Sequence, residues 1–206
     1  MGRKPDPKRR EEILGVVVGH LLERGLHDLS LRSLGAAIGV SPRVLIYHFE
    51  SKEILISEAL SEASRRQRNM FERWMARESG ISPGGLLLKF WRWLSSEETE
   101  PYVRLFFEVY TLGLRGREGF VDYPEGAVTE WTSFAERSLT QAGLDEEAAR
   151  SEATLLVATV RGLLLDLLAT GDRERINAAI EGLTKRLERY EHHAAGESNT
   201  AMEGEQ

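Results

Sequence analysis

"LRSLGAAIGVSPRVLIYHFESKE", residues 31–53, decides the fold. Ser30 can cap a helix that Gly39 ends. Ser41 can cap a second, with Pro42 in its first turn, where a missing N–H costs nothing. Two short helices therefore meet across "IGVSP". A turn of about three to four residues containing Gly between short helices marks a helix-turn-helix. Leu34, Ala37, Ile38, Val40, Leu45 and Phe49 can form one small core with a preceding helix.

That preceding helix starts at Asp6-Pro7 and ends at Gly25. Ile13, Leu14, Val17, Val18, Leu21 and Leu22 repeat with helical period on one face. Gly15 and Gly19 lie inside it and each costs about 1 kcal/mol relative to Ala, so a neighbouring backbone is expected close by. Downstream, Ser51 caps a long helix from Lys52 to about Arg77. Breaks at 79–85 ("SGISPGG") and 95–101 ("SSEETEP") bound a helix that Ser82-Pro83 starts. A helix follows from Tyr102 to about Leu114, then a loop over 115–126. Three more helices fit 127–142, 145–170 and 173–191, with Gly143 and Gly171 as stops. No strand alternation appears, so the fold class is all-α with about nine helices. The tail from 193 has little to bury and is expected to lack structure.

The chain has 206 residues, 41% of them hydrophobic and 29% charged, as in a soluble globular protein. It has no cysteine, which excludes disulfides, thiolate metal sites and cysteine nucleophiles. No signal peptide is read at the N-terminus. The longest apolar stretch, Leu155 to Ala169, is interrupted by Arg161 and Asp166 and reads as too short and too charged for a membrane span. Net charge is −6, but it is unevenly spread. Residues 1–53 hold nine Lys/Arg against seven Asp/Glu, and residues 54–206 hold 18 against 26. A basic head thus stands on an acidic body.

In a helix-turn-helix the second helix enters the major groove, its first residues meeting base edges. Those are Pro42, Arg43 and Val44, followed by Tyr47 and His48. Arg43 can pair with guanine O6 and N7, and Val44 can meet a thymine methyl. Tyr47 and His48 have polar tips suited to phosphate or base edges. Ser41, Ser51 and Lys52 sit at helix N-termini, where amides and positive charge suit a phosphate. Arg32 can reach a phosphate or a guanine. From chemistry alone the same face is equally readable as a polar surface. The histidines make no metal spacing, and no phosphate loop or nucleophile motif occurs, so neither a metal, a cofactor nor an enzyme is expected.

"LSLRSLGAAIGVSPRVLIYHFESKEILISEAL", 29–60, resembles the DNA-binding domain of TetR-type transcriptional regulators. Arg32, Gly39, Val40, Ser41, Leu45, His48, Phe49, Ser51, Lys52 and Leu55 match the family pattern. The pattern's usual glycine is Arg43 here. Its usual tyrosine is Ile46, which can pack or touch a sugar or methyl, while Tyr47 stands one residue later, about 100° around the helix. The resemblance implies a DNA-binding domain at 1–53, an effector-binding and dimerisation domain at 54–192 and a disordered tail at 193–206. It implies a bacterial, cytoplasmic homodimer that binds double-stranded DNA and an unknown small-molecule effector, with no membrane role. Such a protein is most simply a repressor released from a palindromic operator. An activator or ligand-insensitive regulator on the same scaffold is the alternative, and a helical small-molecule carrier is the alternative from another class.

The body offers surfaces for both further roles. Most aromatic residues lie between 90 and 134, and an apolar pocket with few polar groups is what a small-molecule site needs. Phe90, Trp93, Phe106, Phe107, Tyr110, Trp131, Phe134 and Arg161 are the candidate lining of a site for an apolar or aromatic effector, although such stripes also make ordinary core. The helix over 145–170 is apolar nearly all round, which requires cover on every side. Ala158 and Gly162 permit close approach of another helix. Ile176, Ile180, Leu183, Leu187 and Tyr190 repeat with a period near 3.5, as in a coiled coil. Leu155, Ala158, Gly162, Leu163, Ile176, Ile180, Leu183 and Leu187 are the candidate dimer contacts.

Overall fold

The computed structural model describes residues 6–27, 29–75 and 82–203, with side chains described to 188. Arg3 and Lys4 of the basic head, residues 79–81 of the first break, the side chains of Tyr190, His192 and His193, and residues 204–206 lie outside the described residues. Among those described there are nine helices and no strand, so the protein is all-α: α1 (Pro7–Arg24), α2 (Leu31–Ile38), α3 (Pro42–Phe49), α4 (Lys52–Met75), α5 (Pro83–Leu94), α6 (Glu100–Leu114), α7 (Tyr123–Gln141), α8 (Glu146–Thr170) and α9 (Arg173–Glu203).

The helix starts follow from their caps. The Asp6 carboxylate accepts from the Lys8 amide at 3.0 Å. Ser30 and Ser33 make a reciprocal box: the Ser33 amide donates to Ser30 Oγ at 3.0 Å, and the Ser30 amide donates to Ser33 Oγ at 2.9 Å. Ser41 and Ser51 accept from Val44 and Ile54 amides, starting α3 and α4. Gly39 ends α2 with φ +69°, a left-handed conformation that L side chains rarely adopt.

Two starts lie earlier than the sequence suggests. α6 begins at Glu100 and α7 at Tyr123, because Pro101 and Pro124 fall in the first turns, where proline is compatible with a helix. The backbone also stays helical through Glu203, across residues expected to lack structure. A helix already propagated by α9 gains one hydrogen bond per added residue.

The chain divides into two compact units, one of residues 1–77 and 97–122, the other of 78–96 and 123–206. In the first, α1 packs on α2, α4 and α6, and α3 packs on α2 and α4. Its core holds Ile13, Val17, Val18, Leu21, Leu34, Leu45, Phe49 and Leu55. Ala37, expected in this core, is exposed, because α2 turns Leu34 and Gly35 inward instead. Gly15 and Gly19 do not admit a neighbouring backbone. A Cβ at Gly15 would meet only the Arg66 guanidinium at 3.5 Å, and one at Gly19 would meet nothing within 4 Å.

In the second unit, α7 packs on α8, α5 on α9, and α8 on α9. The α5–α9 crossing is close at Gly84, where a Cβ would stand 3.1 Å from the Thr184 carbonyl oxygen. Trp91 is buried there and its indole N–H donates to Asn177 Oδ1 at 2.8 Å. α8 is long and apolar enough to cross a membrane by length and composition. It buries Ala149, Ala153, Leu156, Val160, Leu164 and Leu167 along one stripe.

Candidate nucleic-acid interface

The turn between α2 and α3 is fixed by Gly35. The Val40 amide donates to the Gly35 carbonyl at 2.9 Å. A Cβ at Gly35 would lie 2.3 Å from the Val40 carbonyl oxygen and 3.4 Å from Pro42 Cδ. Only hydrogen fits between the two helices at that point. Leu45 and Phe49, both at most 1% exposed, anchor α3 from below.

With those residues inward, helical geometry sends four others outward. Ile46, Arg43, Tyr47 and Val44 follow one another around the exposed arc, since successive residues are rotated by about 100°. All four are exposed, as are Ser41 and Pro42 at the helix start. Arg32 of α2 is exposed and Lys52 is half-buried at the first turn of α4. Among the described residues, neither Arg32 nor Arg43 has a carboxylate partner, so both charges are available to an anion. Ser41 Oγ is occupied in capping α3.

His48 lies deeper than Tyr47 beside it on α3. It is only 8% exposed, and its Nδ1 is buried without a hydrogen-bond partner. It lies one residue from both Tyr47 and Phe49, whose ring centroids are 5.1 and 6.4 Å away. Three residues on from Leu45, it falls towards the core side of α3, with its Nδ1 edge turned inward.

Arg10 is a residue that sequence reasoning missed, counting it only among the charges of the basic head. Its Nε donates to the His48 carbonyl at 3.1 Å, its guanidinium pairs with Glu58 of α4, and its CZ lies 4.7 Å from the Phe49 ring centroid. Positive charge is favourable at a helix C-terminus. Arg10 thus ties the end of α3 to α1 and α4. No local sequence signal marks it, because its partners lie 38 and 48 residues away.

The body residues fall into separate groups. Phe106, Phe107 and Tyr110 cluster on α6 in the first unit, with centroids 5.2 and 5.5 Å apart. Phe90, Trp93, Trp131 and Phe134 cluster in the second, where Phe90 lies 5.7 Å from Trp93 and 5.4 Å from Trp131. Arg161 is half-buried on α8. A separate open groove is polar, lined by Ser133, Glu136, Arg137, Thr140, Gln141 and Glu146.

Of the candidate dimer contacts, Leu155, Ala158 and Gly162 are exposed on α8, and Leu163 is half-buried. Ile176, Ile180 and Leu187 are corrected: they are at most 2% exposed, on the face of α9 that packs against α5. Their regular repeat serves packing within the chain. Leu183 is half-buried beside that seam.

The fold and this interface define a helix-turn-helix DNA-binding protein. Residues 20–59 match the model of the bacterial regulatory proteins of the tetR family. Solved structures with the same fold extend the likeness over the body. A transcriptional regulator from Rhodococcus sp. Rha1 has a TM-score of 0.71 at 20% identity, over 86% of this chain and 95% of that one. A TetR transcriptional regulator from Legionella pneumophila has a TM-score of 0.68 at 20% identity, over 90% and 98%. The multidrug binding protein EbrR, complexed with imidazole, has a TM-score of 0.60 at 28% identity, over 91% and 93%. No curated protein matches in sequence. Residues 20–59 are thus a DNA-binding domain of the tetR type, and the chain as a whole has the fold of these regulators.

Proposed function

We propose that this protein is a homodimeric repressor that leaves a palindromic operator when a small apolar or aromatic effector binds. The observation that carries the DNA-binding part is the outward arc of α3. A buried anchor of Leu45 and Phe49 holds Arg43, Val44 and Tyr47 outward, flanked by Arg32 and Lys52. In this reading residues 1–53 are the reading head, and 54–192 bind effector and partner. Arg43 takes a guanine edge. Ser41, Pro42, Lys52 and Arg32 lie along the backbone, where phosphate contacts set register.

The dimer reading rests on α8. Only 22% of its most apolar window is buried within the chain, and Leu155 and Leu165 are each 54% exposed. Ala158 and Gly162 lie between them on the same face. A Cβ at Gly162, or at Gly182 of α9, would meet nothing within 4 Å. These glycines have no use inside the chain, yet each costs about 1 kcal/mol in a helix. A second copy approaching closely along α8 and the outer face of α9 gives them one, as a four-helix interface. Two heads then meet one duplex at half-sites about one turn apart.

The effector reading rests on half-buried aromatic groups, those of Phe90, Trp93, Trp131 and Phe134 and those of Phe106, Phe107 and Tyr110, with Arg161 as a polar contact. EbrR, the 28% identical neighbour, is a multidrug binding protein. Release requires the effector to prefer a conformation that does not fit DNA. α4, unbroken from Lys52 to Met75, is the element that can tilt the head. The protein acts in the bacterial cytoplasm. The test is duplex-DNA affinity across a salt series. Counterion release gives a log-linear fall with salt; binding that ignores salt, or a protein that takes up effector and never DNA, contradicts the regulator and favours a carrier.

A further inference from the structure

We infer that Ile46, together with Val44, reads thymine methyl groups on either side of the base pair that Arg43 contacts. This rests on α3 being the reading helix. Ile46 can serve the core or the DNA, and the structure decides between these: it is 40% exposed, on the arc opposite the buried Leu45 and Phe49. Val44 is 36% exposed at the other margin of the same arc. Helical geometry places Ile46 about 60° to one side of Arg43, and Val44 about 60° to the far side of Tyr47. The reading face is therefore a cationic and phenolic centre with a branched aliphatic side chain at each edge.

Branched side chains lose rotamer freedom in a helix, and more than a third of each of these two remains open to solvent. Their occupant must present apolar groups beside a guanine edge and phosphates. The exposed charges of Arg32 and Arg43 commit that occupant to duplex DNA. In the major groove the C5-methyl of thymine is the apolar group that base edges offer. The half-site therefore carries thymines flanking the position Arg43 reads, on one strand or the other.

The test uses the full-length protein and a duplex enriched from a random pool, resynthesised with deoxyuridine for thymidine at one position at a time. Each contacted methyl removed weakens wild-type binding about fourfold, which is ~0.8 kcal/mol for one buried methyl at 1.4 kcal/mol per tenfold. Ile46→Ala becomes indifferent to deoxyuridine at one position and Val44→Ala at another. Ile46→Val, which keeps a branched tip, retains the sensitivity. Thermal unfolding checks that each variant is folded. Wild-type affinity unchanged at every substituted position, or a penalty that persists in both alanine variants, overturns the inference alone. A pool that yields no enriched duplex overturns the reading of α3 and the inference with it.

Discussion

At the scale of single residues, two positions control the interface in different ways. Gly35 is fixed by sterics: any Cβ strikes a backbone oxygen, which cannot swing away as a side chain would. Gly35→Ala is expected to destabilise the protein by about 1–3 kcal/mol, the usual range for overpacking, and to lower DNA affinity by displacing α3. Denaturant unfolding of the variant checks this, and an unchanged midpoint would show that the turn can relax. Arg43 and Lys52 are set apart by chemistry. Arg43→Ala should cost ~1–3 kcal/mol of discrimination at one base pair. Lys52→Ala should weaken all sequences alike and flatten the salt slope. Competition binding with single-position operator variants distinguishes them; uniform loss for Arg43→Ala would deny its base-reading role. The outward arc was legible in the sequence, because Leu45 and Phe49 fix which side of α3 is inward. The burial of His48 was not. The depth of a histidine next to an outward tyrosine shows only once the neighbouring helices are in place.

At the scale of elements, the sequence shows most helix bounds through their caps, and misses what holds helices to one another. Arg10 is the case in point. Arg10→Ala removes a hydrogen bond to the end of α3, an ion pair to α4 and a ring contact. The expected loss is about 1–2 kcal/mol of stability for these partly exposed contacts, with weaker DNA binding although Arg10 faces no base. The α8–α9 corner is held by Arg175, which donates to both oxygens of Asp166 at 2.8 Å and to Asp172 at 3.2 Å. The Arg175 hydrogen bonds, then its charge, hold the Asp166 carboxyl below its ordinary 3.8, against the opposing effect of desolvation. A lowered carboxylate value means stability that is complete above 3.8 and lost as pH falls through the folded value. Arg175→Ala should therefore lower the melting temperature slightly at neutral pH, as surface pairs contribute little, and the difference should vanish in acid. A difference that persists well below pH 3.8 would place the effect in packing instead. Periodicity alone also could not say which partner the Ile176–Ile180–Leu187 stripe meets. The same spacing suits another subunit or a helix of the same chain, and α5 takes it here.

At the scale of the whole molecule, the proposed dimer links two heads into one palindrome-reading surface. Leu165 lies on the exposed face of α8, outside the core, so Leu165→Arg should leave the fold intact and separate the subunits. Sedimentation should show monomers at micromolar concentration, and operator affinity should fall by orders of magnitude as two-headed binding is lost. A variant that remains dimeric would move the interface elsewhere. The central claim, that this chain reads a specific DNA sequence as a dimer, is tested most directly by selection from a random duplex pool at near-physiological salt, followed by sequencing. An enriched palindrome with half-sites about one helical turn apart is the predicted result. No enrichment from folded protein, with and without candidate effectors, would contradict it.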